Sequence, residues 1–175
     1  MPTITVTIKG KKKKYKKGIT IIDIVESLNM RDILAATLND SIVDLSRNVT
    51  KNSEIELISF DTHEGKKLFH HSTAHILAQA VLRLFPKSKL TIGPTIEGGF
   101  YYDIDMKPLT PSDLNKIEKE MQKIVDEDYT VKRHEVSKKK ALSLFKGNKY
   151  KKELIDEVEK GEKISYYEQG EFIDL

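Results

Sequence analysis

Between residues 69 and 85 the chain reads FHHSTAHILAQAVLRLF, followed by a proline. At about 100° per residue, Ala74, Leu77, Ala80, Val81, Leu84 and Phe85 share one arc, while Gln79 and Arg83 lie on the other side. The spacing predicts an amphipathic helix that Pro86 ends. Upstream, TITVTI (3–8) alternates as a strand does, Lys9 and Gly10 can turn, and residues 14–17 can return as a second strand. Thr20 and Asp23 form a T-x-x-D capping box that opens the helix IIDIVESLN. Short strands follow in AATLN, IVDL and EIELISF. Strand, strand, helix and several more strands within about sixty residues fit a small α+β fold such as the β-grasp roll.

The polar stretch DTHEGKK (61–67) reads as a linker, so two domains are expected, 1–62 and 63–175. In the second, the helix leads to TIGPTI, EGG and FYYDID, a hairpin pattern in which Gly98 and Gly99 can supply positive φ and one face of the return strand is aromatic. Thr110, Pro111 and Asp113 start a helix reaching about Asp128, with Leu114, Ile117, Met121, Ile124 and Val125 on one face. YTVKRHEV (129–136) reads as a strand. Ser137 caps a short helix that Gly147 closes, KYKKELIDEVEK (149–160) reads as helix, and KISYYEQ and EFIDL form a last hairpin around Gly170. The expected class is α+β, with helices on an antiparallel sheet in the second domain.

Composition narrows the chemistry. The 175 residues are 38% hydrophobic and 33% charged, with no apolar run long enough for a membrane span and no signal-peptide pattern, so a cytoplasmic chain with no membrane partner is expected. The absence of Cys excludes disulfides and thiolate metal sites within these residues. Net charge is only +3, yet Lys9, Lys11 to Lys14, Lys16 and Lys17 crowd one hairpin, and Lys138 to Lys140 with Lys146, Lys149, Lys151 and Lys152 form a second cluster. Such clusters suit a phosphate-bearing partner, and equally a solvated edge that resists aggregation.

His71 and His75 stand four apart at the border of the apolar arc, one turn above each other, where they can face a cleft. A histidine pair at this spacing is otherwise an ordinary boundary feature, and a zincin would need HExxH, whereas Ser72, Thr73 and Ala74 separate these two. Imidazoles take and give protons near neutral pH, and an ester is cleaved by a positioned water, a base and a cation near the developing oxyanion. Lys151 is a candidate for that cation and Asp174 for orienting a histidine or water, although composition alone makes each a solvated charge. Tyr102 and Asp103 are candidates for lining a pocket, Tyr102 being equally at home in a core.

HSTAH followed some twenty residues later by IGPTIEGGFYYD resembles the start of the editing domain of the threonyl-tRNA synthetase family, which is related to alanyl-type editing domains. The first sixty residues are similar to the TGS domain, a ubiquitin-like β-grasp, that begins these synthetases. The resemblance implies hydrolysis of mischarged seryl-tRNA(Thr) at the tRNA 3′ end, by a parent that attaches threonine to tRNA(Thr) with ATP. By the same resemblance His71 and His75 match the HxxxH pair, Lys151 the Lys of a YKxEL-like segment, Asp174 the Asp before a later CxxxH motif, and Tyr102 and Asp103 the FYYD segment. The implied roles are water activation or leaving-group positioning for the histidines, with the general base unassigned, charge stabilisation for Lys151, orientation for Asp174 and substrate contact for Tyr102 and Asp103.

The resemblance would place that CxxxH motif just after Leu175, so the expectation is an N-terminal fragment, feeble or inactive alone. No cofactor or metal is expected in it, since the ATP, Mg and Zn of the parent belong to an absent catalytic domain. A monomer is expected, the parent being a homodimer. The alternatives are a non-catalytic tRNA-binding module and an alanyl-type metallo-deacylase.

Overall fold

The computed structural model describes residues 2–159 and 161–175 and divides into two compact units, Met1–His70 and His71–Leu175. The first is built on a five-stranded mixed sheet of β1 (Thr3–Ile8), β2 (Lys11–Lys16), β4 (Ile33–Leu38), β5 (Ser41–Val43) and β7 (Ser53–Ser59), in the order β2-β1-β7-β4-β5. β1 and β7 run parallel and every other pair antiparallel. Lys9 and Asn39-Asp40 take left-handed φ values of 49°, 49° and 67°, and with Gly10 at 74° they make the two tight hairpin turns. A short pair, β3 (Ile19–Thr20) with β6 (Asn48–Val49), leads into α1 (Ile21–Ser27), which lies across one face of the sheet. Ile21, Ile24 and Val25 pack on Ile4, Val6, Tyr15, Ala36, Val49 and Ile55, a β-grasp core. The expected capping box is present: the Asp23 amide donates to Thr20 Oγ1 at 3.2 Å and the Thr20 amide to Asp23 Oδ2 at 3.3 Å.

The expected linker is not a loop. α2 runs from His63 to Leu84, and the boundary between the units falls inside it. Thr62 Oγ1 accepts the Gly65 amide at 2.9 Å, so the polar residues 63–67 are the first turns of a helix and not a spacer. Their polarity imitates a linker because they precede the buried part of the helix.

In the second unit α2 is the central element. Ala80 and Val81 pack on Ile117 and Ile124 of α3 (Pro111–Asp126), and Ala78 packs on Leu90 of β8 (Lys89–Leu90) and Phe172 of β14 (Phe172–Asp174). A three-stranded antiparallel sheet, β12 (Val131–Val136), β13 (Ile164–Gln169) and β14, forms the third core with α4 (Lys138–Leu144) and α5 (Lys149–Glu157). α5 stops at Glu157, short of the expected end at Lys160, a residue outside those described. The FYYDID strand is interrupted: β9 (Thr95–Ile96) pairs with β10 (Gly99–Phe100), β11 (Ile104–Asp105) pairs with β8, and residues 101–103 between them are irregular. Only Gly98 of the two glycines takes positive φ, at 75°. Gln79, expected on the solvent side, is 1% exposed; its Nε2 donates to Glu171 and to the Gln169 carbonyl, and its Oε1 accepts from the Gln169 side chain. Arg83 beside it holds Glu171 at 2.6 Å, Glu127 at 2.7 Å and Glu120 at 3.3 Å, tying α2 to α3 and to the tip of the last hairpin. Among the described residues no helix is long and apolar enough to cross a membrane.

Gly65 offers a test in which propensity and packing oppose each other. A Cβ there would lie 1.9 Å from the Ser59 carbonyl oxygen, in backbone that cannot swing away. Helix propensity alone would make Gly65→Ala stabilising by about 1 kcal/mol. We expect a loss of about 1–3 kcal/mol from the clash, read as a lowered midpoint in urea denaturation; a raised midpoint would mean the contact is not there.

Candidate active site

Five side chains from four parts of the second unit converge. His71 and His75 come from α2, where the four-residue spacing sets their Nε2 atoms 3.1 Å apart, with ring centroids 4.6 Å apart and edge to face. Asp174 comes from β14, placed by a turn at which Gly170 has φ 57°. Lys151 sits in the first turn of α5, whose N-cap Asn148 accepts the amides of Tyr150 and Lys151 at 3.1 and 3.3 Å. Tyr102 comes from the irregular segment between β10 and β11.

Asp174 is the hub. Its Oδ1 is 2.5 Å from Lys151 Nζ, and its Oδ2 accepts the Tyr102 hydroxyl at 2.7 Å and stands 3.3 Å from His75 Nδ1, off the line of a well-directed hydrogen bond. Lys151 Nζ also donates to the Tyr102 oxygen at 3.2 Å. Lys151 and Asp174 are 3% and 2% exposed, so this is a buried ion pair that survives only because nearly every polar atom has a partner. Burial alone would raise the Asp174 carboxyl, but the His75 contact and the Lys151 charge outweigh it and hold the group at about 2. Burial, then the neighbouring Asp174 charge, pushes the Tyr102 phenol far above its ordinary value, so it stays a donor. With Nδ1 turned toward a carboxylate, His75 presents Nε2 on the His71 side.

The cluster forms one wall of a cavity of about 430 Å³, completed by Ala74, Ile92, Gly93, Pro94, Thr95, Leu154 and Leu175. Its size and mainly apolar lining suit one small organic group, with convergent polar atoms at one end. The IGPT stretch supplies part of this lining, a role its sequence does not announce. Gly93 is there because a Cβ would stand 2.3 Å from the Tyr102 ring, and the Gly-Pro pair marks a close approach. Tyr167, whose ring lies 5.6 Å from that of His75 and 6.0 Å from that of His71, has no signal of its own, because nothing distinguishes it from Tyr166 in sequence.

Asp103, expected beside Tyr102, is not brought to the cavity. It is exposed and lines a neighbouring open groove with Asp105, Tyr150, Glu153 and Glu157, since adjacent residues in extended chain point to opposite sides. Lys151, expected as a cation facing substrate, is paired with Asp174. Among the described residues no group of three or more His, Asp or Glu is placed to hold a metal ion.

An imidazole pair backed by a buried carboxylate thus borders a small cavity in an α+β chain. No family model matches the chain. Its curated relatives, however, are threonine–tRNA ligases: it is 45% identical to that of Caldanaerobacter subterraneus over 172 residues, 46% to that of Thermotoga maritima over 170, and 44% to that of Clostridioides difficile over 172. Each alignment covers 95% of this chain but only 26–27% of the relative, so the chain spans about a quarter of the length of the ligases it matches. It belongs to the threonine–tRNA ligase family.

Removing the hub's charge tests the geometry. Asp174→Asn leaves Lys151 buried without a counter-charge and is expected to cost about 3–5 kcal/mol in urea unfolding, much of it restored by adding Lys151→Met. Because the folded Asp174 value of about 2 lies below that of an unfolded aspartate near ~3.9, the pair stabilises the fold above the latter and is lost as pH falls from about 4 to about 2. Stability measured across that window should fall in the wild type, and Asp174→Asn should lack this part of the decline.

Proposed function

We propose that the second unit is a proofreading site that hydrolyses the ester of seryl-tRNA(Thr), within a cytoplasmic protein that joins threonine to tRNA(Thr). The observation that carries this reading is the ordered chain Lys151–Asp174–His75–His71 on the wall of a cavity, in a sequence 45% identical to threonine–tRNA ligases. A ligase for threonine needs such a site, because serine lacks only a methyl group, a difference worth ~1–3 kcal/mol at a single binding step.

The residues divide the work. The seryl group enters the cavity with its ester at the histidine wall, and a water there gives its proton to an imidazole Nε2 as its oxygen attacks the ester carbon. The proton passes to the departing ribose oxygen when the tetrahedral intermediate collapses. Asp174 stands 3.3 Å from Nδ1 of the His75 ring, Lys151 holds Asp174 ionised and in place, and the Tyr102 hydroxyl locks the second carboxylate oxygen. Ile92, Pro94 and the Tyr102 ring are the apolar walls against which an added methyl group is sensed. No metal or cofactor takes part in this scheme.

In the full-length protein, His71→Ala and His75→Ala are each expected to slow deacylation of seryl-tRNA(Thr) by about 10²–10⁴-fold, in a rapid-quench assay, with threonine attachment unchanged. Unchanged deacylation in both variants would reject the reading.

A further inference from the structure

The lysines of the first hairpin have no place in the hydrolytic site, and their arrangement has a pattern of its own. β2 is an edge strand, and its inward residue Tyr15 packs into the α1 core with its hydroxyl 3.2 Å from Ser27 Oγ. Alternation therefore turns Lys12, Lys14 and Lys16 to the opposite face of the sheet. There they stand across from Thr7, Thr5 and Thr3, so the face reads as a row of lysines beside a row of threonines. The three ammonium stems leave the backbone at intervals of about 6.8 Å and span about 14 Å. Among the described residues none of the three forms an ion pair, unlike Lys116, Lys123, Lys138 and Lys163, which all hold carboxylates. The nearest acidic position across the register is Glu54, opposite Thr7 and about 10 Å from the lysine row.

Lysine protects an edge strand from pairing. Here three cations with no carboxylate partner among the described residues stand in one row on the open face of that strand, where they repel one another. The Thr5 and Thr7 side chains beside them are half-buried and polar, which supplies hydroxyl donors and no exposed apolar group to enter a lipid layer. Evenly spaced cations with hydroxyls alongside match a polymer of evenly spaced anions that is itself stiff. We infer that the Lys12–Lys14–Lys16 face of the first unit binds the phosphate backbone of an RNA stem. The inference rests on the proposed function only for the kind of polyanion, which is why its test uses uncharged RNA and no hydrolysis.

The experiment is a fluorescence-anisotropy titration of the chain with a labelled RNA hairpin whose stem copies a tRNA acceptor arm, at several salt concentrations. Lys12→Gln, Lys14→Gln and Lys16→Gln in one chain should weaken binding about tenfold near 0.1 M salt and reduce the slope of log affinity against log salt by about 2–3. The triple Arg variant at the same positions should keep both, and Lys139→Gln, Lys140→Gln and Lys146→Gln together should change affinity less than about twofold. Equal loss in the second triple variant, or no loss in the first, overturns the proposal. So does a first variant that keeps its RNA affinity while losing binding to vesicles of anionic lipid. Thermal melts of the Gln variants separate a lost surface from a lost fold.

Discussion

Burying a lysine and an aspartate together is the constraint around which the second unit is arranged. Taking both charges out of water costs several kcal/mol per ion, so the pair persists only if the remaining lone pairs and protons are also met. That demand brings in the Tyr102 hydroxyl, while the His75 ring stands 3.3 Å from the same oxygen and turns its Nε2 to that of His71. It also dictates the scaffold, since helix, hairpin and loop must all deliver their residues to within hydrogen-bond distance of one carboxylate. The chemistry proposed for the cavity is in this sense a by-product of satisfying a buried anion.

The opposite end of α2 shows how the hairpin bearing that anion is held. Gln79 and Gln169 pair side chain to side chain, and Arg83 collects Glu171 with two carboxylates of the α3 region. The Glu127 and Glu171 contacts drive the Arg83 guanidinium further toward its charged form. These contacts fix the turn around Gly170 and hence the register of β14. A side of the helix that looks solvent-facing on a wheel is thus a second polar seam, and the four-residue step that separates His71 from His75 also separates Gln79 from Arg83.

Local signals were legible and distant ones were not. The Thr20/Asp23 and Thr110/Asp113 boxes could be read because both partners lie within one turn, and the structure holds both. The His71–His75 pair was legible for the same reason. The start of α2 was misread because a polar first turn and a polar linker use the same residues; what distinguishes them is the contact of Gly65 with Ser59 and Thr62. Lys151 stood among many lysines, and only the approach of β14 sets it apart. Asp103 was named with Tyr102 through the FYYD segment, but adjacent residues in extended chain face opposite sides, and Asp103 lines the neighbouring groove. The burial of Gln79 had no local signature at all.

Gly93 and Tyr102 occupy, between them, the volume of one ring and no more. A chain that gave up the ring would open room for a side chain at 93 in the same step, whereas a side chain at 93 alone would push the phenol off its carboxylate. The two positions are therefore coupled in one direction: residue 93 can gain a side chain only where the ring at 102 has been given up.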